Sequence, residues 1–318
     1  MAQLFLGIDG GKSSTTALIA DENGRVIGSG RGGPCNHVAE SEGRAKFIAA
    51  IEGSVSAACD RAGLNFATVR FRSACLGFSG GPADKKSILL EILRCDQLAV
   101  THDALIALVG GTGGEPGLIV IAGTGSISFG RNRAGTTARA GGWGYVFGDE
   151  GSAFDIARQA LRAALRNEEG WGPPTALREM LLAETGSADM NEALHRFYTP
   201  DFPRPRVAMI AKAVDRIAES GDGVAARVLE SAAHQLAELA SAVRLQLFEP
   251  GEDARVAYIG GVFHSTRVRE RFRTLVELDP ANRVMRPAHG PAAGALLEAY
   301  REAGIDVSLS EVPEVEKQ

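Results

Sequence analysis

The first thirty residues alternate short apolar runs with glycine turns, a pattern that predicts β-strands rather than helix. Asn23-Gly24 lies between two apolar runs and is a strong hairpin signal. In the first third of the chain we expect strands at 4–8, 15–20, 25–29, 71–78 and 97–100 and helices at 39–62 and 83–93. Three strands in hairpin order followed by alternating helices and strands predict a mixed α/β layer.

The second third of the chain repeats this opening. Residues 117–142 again read as strand, glycine turn, strand, hairpin and strand, and a third glycine turn follows a strand at 256–259. Between and after these turns we expect helices at 152–166, 174–184, 191–196, 206–220, 223–248 and 291–303. The repeat predicts two α/β domains, divided at the glycine-rich segment 110–117. Their expected bounds are 1–112, joined by a C-terminal helix at about 289–305, and 113–288, with a polar tail at 306–318.

Composition and charge narrow the function classes. The 318 residues are 45% hydrophobic and carry a formal net charge of -5, so they can build two cores but lack the basic surface of a nucleic-acid-binding protein. The N-terminus has no basic signal-peptide region, and no apolar run reaches the ~18 residues that span a bilayer. The four cysteines form no C-x-x-C pair. We therefore expect a cytoplasmic protein without nucleic-acid or membrane partners.

The sequence contains partial matches to two familiar motifs, and neither has the full pattern or context that its function needs. Residues 11–13, GKS, suggest a P-loop, but that motif needs a glycine at position 6, which is Leu6. Residues 77–81, GFSGG, match the nucleophile elbow G-x-S-x-G, but Pro82 disfavours the helix that must follow the serine directly. An apolar strand that runs into Asp-Gly-Gly still predicts a turn where backbone N–H groups approach a phosphate.

The glycine turns and the polar residues beside them resemble a known superfamily. Asp9-Gly10-Gly11, Asp103, residues 123–126 (GTGS) and the glycine pair at 260–261 resemble actin, the heat-shock chaperone ATPases and the sugar kinases. The segments PCNHV, GFSGG, THDA, IAGTGSISFG, GGWGYVFGDEGSAFDIA and YIGGVF are similar to the N-acetylglucosamine kinase branch, the BadF/BadG/BcrA/BcrD ATPase family. The resemblance covers about residues 4–300. It implies an α/β protein of two actin-like (ribonuclease H-like) domains with mixed sheets around a nucleotide cleft.

The resemblance also implies an activity: ATP-dependent phosphorylation of an amino sugar, N-acetylglucosamine or glucosamine, with Mg²⁺. Asp103 would be the catalytic base that takes the proton of the sugar hydroxyl, and Asp9 would hold Mg²⁺ through water. The implied sugar-binding residues are Asn36, Ser79, Asp103, Gly142, Trp143 and Asp149. The implied ATP-binding residues are Gly10, Gly11, Lys12, Ser13, Thr124, Gly125, Ser126, Val207, Ala208, Gly260 and Gly261.

Ordinary structural roles stay open for several of these residues. Asp9 could cap its own turn, Asp103 could be a helix N-cap, and negative charge at Asp149 also suits a helix N-terminus. Lys12 stands where the family often has glycine, and its side chain could face a phosphate or solvent.

Two other functions also stay open within the same fold. An activator ATPase that drives electron transfer through an iron–sulfur cluster would need cysteine ligands, and none follows Cys95. A sugar-sensing regulatory protein would have no need of a base at Asp103. The sequence does not fix the sugar, the hydroxyl that is phosphorylated, or whether the protein forms a homodimer.

Overall fold

The computed structural model describes residues 3–11, 13–35, 43–79 and 85–314. The chain forms two compact units. The first unit comprises Met1–Gly117 and Arg286–Gln318, and the second comprises Leu118–Met285. Among the helices of the described ranges, none is both long enough and apolar enough to span a membrane.

The elements follow one another as strands and then helices in each unit. The first unit begins with β1 (Phe5–Gly10), β2 (Thr15–Ala20), β3 (Val26–Gly32), α1 (Gly43–Arg61), β4 (Phe71–Phe78), α2 (Lys86–Ile92), β5 (Cys95–His102) and α3 (Asp103–Thr112). Next come β6 (Gly117–Ala122), β7 (Ser126–Arg131), β8 (Thr137–Gly141), α4 (Ala153–Glu168), α5 (Leu177–Thr185), α6 (Met190–Arg196), α7 (Arg204–Met209), α8 (Ala211–Glu219) and α9 (Gly223–Leu247). The chain continues through β9 (Ala254–Ile259), a 3₁₀ turn (Gly261–His264), α10 (Thr266–Val276), β10 (Asn282–Met285) and, in the first unit again, α11 (Pro291–Glu302).

Each unit contains one five-stranded sheet, and the two sheets have the same strand order. The first is β3-β2-β1-β4-β5, and the second, read from its other edge, is β8-β7-β6-β9-β10. In the first sheet β1 pairs antiparallel with β2 and parallel with β4, so the sheet is mixed. The repeat in the sequence is therefore a repeat of sheet topology, and the expected α/β class with two mixed-sheet domains is confirmed.

Helices cover both faces of the first sheet. On α1, Phe47, Ile51 and Val55 recur at helical spacing and are fully buried against strand residues such as Leu76. On α11, the ring of Tyr300 stacks on Phe5 of β1 with centroids 4.0 Å apart. Burying each such side chain contributes roughly 1.5–3 kcal/mol. The parallel strands β1, β4 and β5 are thereby held between two helical layers.

Three local features differ from the sequence-based expectation. The helix expected at 206–220 is two helices, because the N–H of Ile210 bonds to the carbonyl of Val207 and tightens the turn between α7 and α8. No clear sequence pattern predicts the short edge strand β10. The described part of the expected polar tail packs on the first unit, where Val312 is buried and Ser310 bridges to Arg25.

Candidate active site

Three of the expected polar residues lie at one edge of the first sheet. Strands β1, β4 and β5 are parallel, so their carboxyl ends meet there. Asp9 lies near the end of β1, opposite Gly77 of β4. Ser79 directly follows β4, and Asp103 directly follows β5.

Ser79 and Asp103 are in direct contact. The Ser79 hydroxyl donates a hydrogen bond to Asp103 Oδ2 at 2.6 Å. Asp103 is the first residue of α3, but the N-cap is His102, whose Nδ1 accepts the N–H of Leu105 at 3.2 Å. The N-cap role left open for Asp103 is therefore wrong: its half-buried carboxylate is held by Ser79 and does not cap the helix.

The first glycine turn is closed by backbone hydrogen bonds. The N–H of Gly11 donates to Ser14 O at 3.0 Å, and the N–H of Cys35 donates to Gly11 O at 3.0 Å. Gly10 closes β1, and Ser13 is exposed on the turn. Lys12 and Asn36, both expected in the site, lie outside the described residues.

A thiol and a cation lie beside this turn. Cys35 Sγ is 2.9 Å from Thr15 Oγ1. Burial raises the pKa of the Cys35 thiol above its usual value, and the nearby Asp9 carboxylate adds to this effect, so the thiol is neutral. Lys85, which the sequence gave no reason to single out, is 4% exposed, with its ammonium 5.7 Å from the centroid of the Phe78 ring.

The donor set fits a magnesium ion that is held mainly by a nucleotide. Within the described ranges, no three His, Cys, Asp or Glu side chains are grouped closely enough to hold a metal. Mg²⁺ in phosphate-transfer sites needs no such cage, because it keeps several waters and takes one or two carboxylates plus phosphate oxygens. Asp9, half-buried at the sheet edge, meets that requirement.

In the second unit, the turn between β6 and β7 is tied to the start of α4. The N–H of Gly123 donates to Gly125 O, and Gly123 O accepts the N–H of Ala153, both at 2.9 Å. The Ser126 hydroxyl donates to Glu150 O at 2.6 Å. The expected phosphate-binding residues Thr124, Gly125 and Ser126 are thus part of a braced turn.

Asp149 is fixed by the same turn. It is 4% exposed, and its Oδ1 accepts the N–H of Ser126 at 3.2 Å. Its Oδ2 accepts a hydrogen bond from Arg204 of α7, and the same Arg204 nitrogen lies 3.4 Å from Thr124 O. Sequence reasoning missed Arg204, because its partners are 55 and 80 residues away in the chain.

The Gly-Gly-Trp-Gly segment joins this network through its backbone. The N–H of Gly142 donates to Ser126 O at 3.0 Å. Trp143 is 65% exposed, and the guanidinium carbon of Arg139 lies 4.8 Å from the centroid of its ring. The structure therefore brings together Gly142, Asp149 and Ser126, to which the family resemblance assigns sugar and phosphate binding.

A cavity of about 570 Å³ opens beside the second-unit turn. Of the expected ATP-binding residues, Thr124, Ala208 and Gly261 line it, together with the neighbouring Gly123. Val207 instead lies in the hydrophobic core at 5% exposure. Gly260 is not in the lining either: its φ is 112°, and a Cβ there would lie 2.3 Å from Ala122 O.

The polar wall of this cavity contains residues that sequence reasoning missed. The Ser265 hydroxyl donates to Asp215 Oδ1 at 2.5 Å, and Lys212 lies one turn before Asp215 on α8. Ser265 is recognisable as the N-cap of α10, since it accepts the N–H of Val268. Its pairing with Asp215, 50 residues earlier, carries no local sequence signal.

Comparison with known proteins gives relatives along nearly the whole chain. An N-acetylmuramic acid/N-acetylglucosamine kinase of Clostridium acetobutylicum is 29% identical over 304 residues, 93% of this chain and 98% of the relative. An N-acetyl-D-glucosamine kinase of Dictyostelium discoideum is 28% identical over 313 residues, with the same coverage. The solved structure of a candidate N-acetylglucosamine kinase from Chromobacterium violaceum superposes with a TM-score of 0.69 at 25% identity, covering 93% of this chain and 98% of that one.

The family resemblance expected from the glycine turns is confirmed over nearly the whole chain. The model of one family matches residues 6–299, which include all three turns and both aspartates of the first-sheet edge. This chain therefore belongs to the BadF/BadG/BcrA/BcrD ATPase family.

Proposed function

We propose that this protein is an ATP-dependent kinase that phosphorylates an amino sugar, N-acetylglucosamine or glucosamine. The observation that carries the proposal is the Asp103 carboxylate, held by Ser79 where the parallel strands β1, β4 and β5 have their carboxyl ends, the edge at which Asp9 also lies. Kinase relatives that match over 93% of the chain support the amino-sugar substrate.

In the proposed reaction Asp103 is the general base. It accepts the proton of a sugar hydroxyl while that oxygen forms a bond to the γ-phosphorus and the bond from this phosphorus to the bridging oxygen of ADP breaks. Ser79 holds the carboxylate through the 2.6 Å hydrogen bond, which keeps one oxygen fixed and leaves the other for the sugar. A magnesium ion held by Asp9 would neutralise charge on the phosphate oxygens.

The backbone of the two equivalent turns supplies the phosphate donors in this proposal, through N–H groups other than those of Gly11 and Gly123, which bond within the turns. Gly10-Gly11 lies between β1 and β2, and Thr124-Gly125 lies between β6 and β7, which is the matching position in the repeated topology. Short turns of this kind aim N–H groups at an anion without needing a basic side chain. An acidic chain can therefore bind a polyphosphate.

The cavity beside the second turn suits the nucleoside. Its volume of about 570 Å³ falls within the roughly 300–1,000 Å³ typical of small-molecule clefts. Apolar side chains of Ile156 and Met209 supply contact area for a planar base, and the Ser265–Asp215 pair supplies a hydrogen-bond acceptor at its wall.

A panel of acceptor sugars tests the proposal. ADP release is measured with Mg²⁺ and ATP for N-acetylglucosamine, glucosamine, N-acetylmuramic acid and glucose, with an assay lacking sugar as control. We expect the highest kcat/KM for N-acetylglucosamine or glucosamine and slow release without sugar. The highest kcat/KM for glucose would refute the substrate class, and equal release with and without sugar would refute the kinase itself.

A further inference from the structure

Outside the site described above, helices α4 and α9 enclose a groove of about 260 Å³ in the second unit. Its polar lining consists of Gln159, Arg162, Arg166, Arg227 and Ser231, which we call the arginine groove. Arg162 and Arg166 are one turn apart on α4, and Arg227 and Ser231 are one turn apart on α9. Three guanidinium groups from two helices thus line one small space.

The arginine groove holds positive charge without compensation. No carboxylate lines it, and within the described residues none of its three arginines forms an ion pair. Three of the four acidic residues of the same two helices are engaged elsewhere: Asp155 with Arg158, Glu168 with Arg178 and Glu230 with Arg267.

This arrangement costs stability unless an anion occupies it. Like charges four residues apart on a helix repel one another and destabilise it slightly, and Arg227 adds a third charge from the facing helix. The formal net charge of the chain is -5, so the three positive charges of the groove are opposite in sign to the net charge of the protein. Arg166 is also held in place, with its guanidinium carbon 4.9 Å from the centroid of the Trp171 ring.

We propose that the arginine groove is a binding site for a compact phosphate anion, either free phosphate or the phosphate of a small phosphomonoester. The planar guanidinium fork matches phosphate oxygens in charge and geometry, and three of them suit a dianion. Gln159 and Ser231 add uncharged donors to its lining. The volume lies below that of clefts for drug-sized ligands, which selects a small anion.

Calorimetric titration of three proteins tests the proposal. Inorganic phosphate, glucose 6-phosphate and uncharged glucose are titrated at constant ionic strength into the wild type, the double variant Arg162→Gln/Arg227→Gln and the control Arg133→Gln/Arg283→Gln. The control changes net charge equally at two exposed arginines outside the groove. Phosphate binding at the turns of the nucleotide site is present in all three proteins, so only a difference between variants reports on the groove.

The groove variant should bind a phosphate probe at least ~10-fold more weakly than the wild type and the control do. The reason is that loss of one charge-assisted hydrogen bond lowers affinity by ~10-fold or more. Tighter binding of glucose 6-phosphate than of inorganic phosphate would assign the ester as ligand, and the reverse order would assign the free ion; both support the proposal. Equal affinity in all three proteins, or no phosphate binding in any, would overturn it.

The stability of the groove variant separates binding from misfolding. Glutamine is close to arginine in helix propensity, and the substitution removes like-charge repulsion. In phosphate-free buffer the double variant should therefore melt at the same temperature as the wild type or higher, and added phosphate should raise the melting temperature of the wild type and the control by more than that of the groove variant. A variant that melts lower without phosphate would show that the arginines serve the fold instead.

Discussion

Alanine at position 125 would disrupt the second-unit turn at a single point. A Cβ on Gly125 would lie 2.8 Å from Arg204 Nη2 and 2.8 Å from Asp149 Oδ2. The backbone of Gly125 does not have a positive φ, so the substitution adds no conformational strain of its own. The effect should come from the two side chains that must move apart.

The size of the effect follows from the ion pair. The side chain of Asp149 is 5% exposed and short, so Arg204, at 34%, is the partner that turns toward solvent. Losing a charge-assisted hydrogen bond costs about 1.5–3 kcal/mol of stability. Because Arg204 is partly exposed, water that solvates its guanidinium offsets some of this loss. We expect Gly125→Ala to lower stability by about 1–2 kcal/mol, or roughly 2–8 °C in melting temperature at this domain size.

The assay is thermal unfolding of the ligand-free protein, with Gly123→Ala as the matched control. A Cβ on Gly123, two residues earlier in the same turn, meets nothing within 4 Å, so this variant should melt as the wild type does or slightly higher. In an Arg204→Gln background the cost of Gly125→Ala should shrink, because the pair is already lost. Equal melting temperatures for Gly125→Ala and Gly123→Ala would refute the reasoning.

Other variants test separate parts of the account. Asp222 accepts two N–H groups of α9, the N–H of Ala176 and the Thr175 hydroxyl, so Asp222→Ala should cost about 2–3 kcal/mol in the same melting assay. Burial alone would raise the pKa of Asp222, but these hydrogen bonds outweigh it and lower the pKa, so the stability difference from wild type should hold above about pH 4 and shrink below it. Asp9→Ala should raise the Mg²⁺ concentration needed for half-maximal turnover, while Lys12→Ala keeps most activity; equal losses in a magnesium titration would contradict that assignment.

Local patterns were enough to predict much of the fold. Strand β4 and the hairpin at Asn23-Gly24 depend on neighbouring residues, and the repeat of the glycine turns predicted two α/β domains, whose sheets have the same strand order in the structure. The break at Ile210 was missed, because apolar spacing is almost the same for one long helix and for two helices joined by a tight turn.

The candidate site was predictable only where a motif marked it. Asp103 and Ser79 were selected from separate motifs, and their direct contact follows from the parallel pairing of β4 and β5. Arg204, Asp215 and Lys85 carried no signal, since each contacts or approaches partners far away in sequence. Tertiary pairs of this kind depend on the packed structure and not on local spacing.

The central claim is that Asp103 is the base of a sugar kinase, and Asp103→Asn tests it most directly. Asparagine keeps the shape and can accept the Ser79 hydrogen bond, and His102 caps α3 in either case, so the melting temperature should not change. The measurement is kcat with saturating ATP and the best sugar of the panel, together with sugar affinity by calorimetry. The account predicts retained sugar binding and a kcat ~10²–10⁴-fold lower, the usual contribution of acid–base catalysis. Wild-type kcat in a folded, sugar-binding Asp103→Asn protein would contradict it.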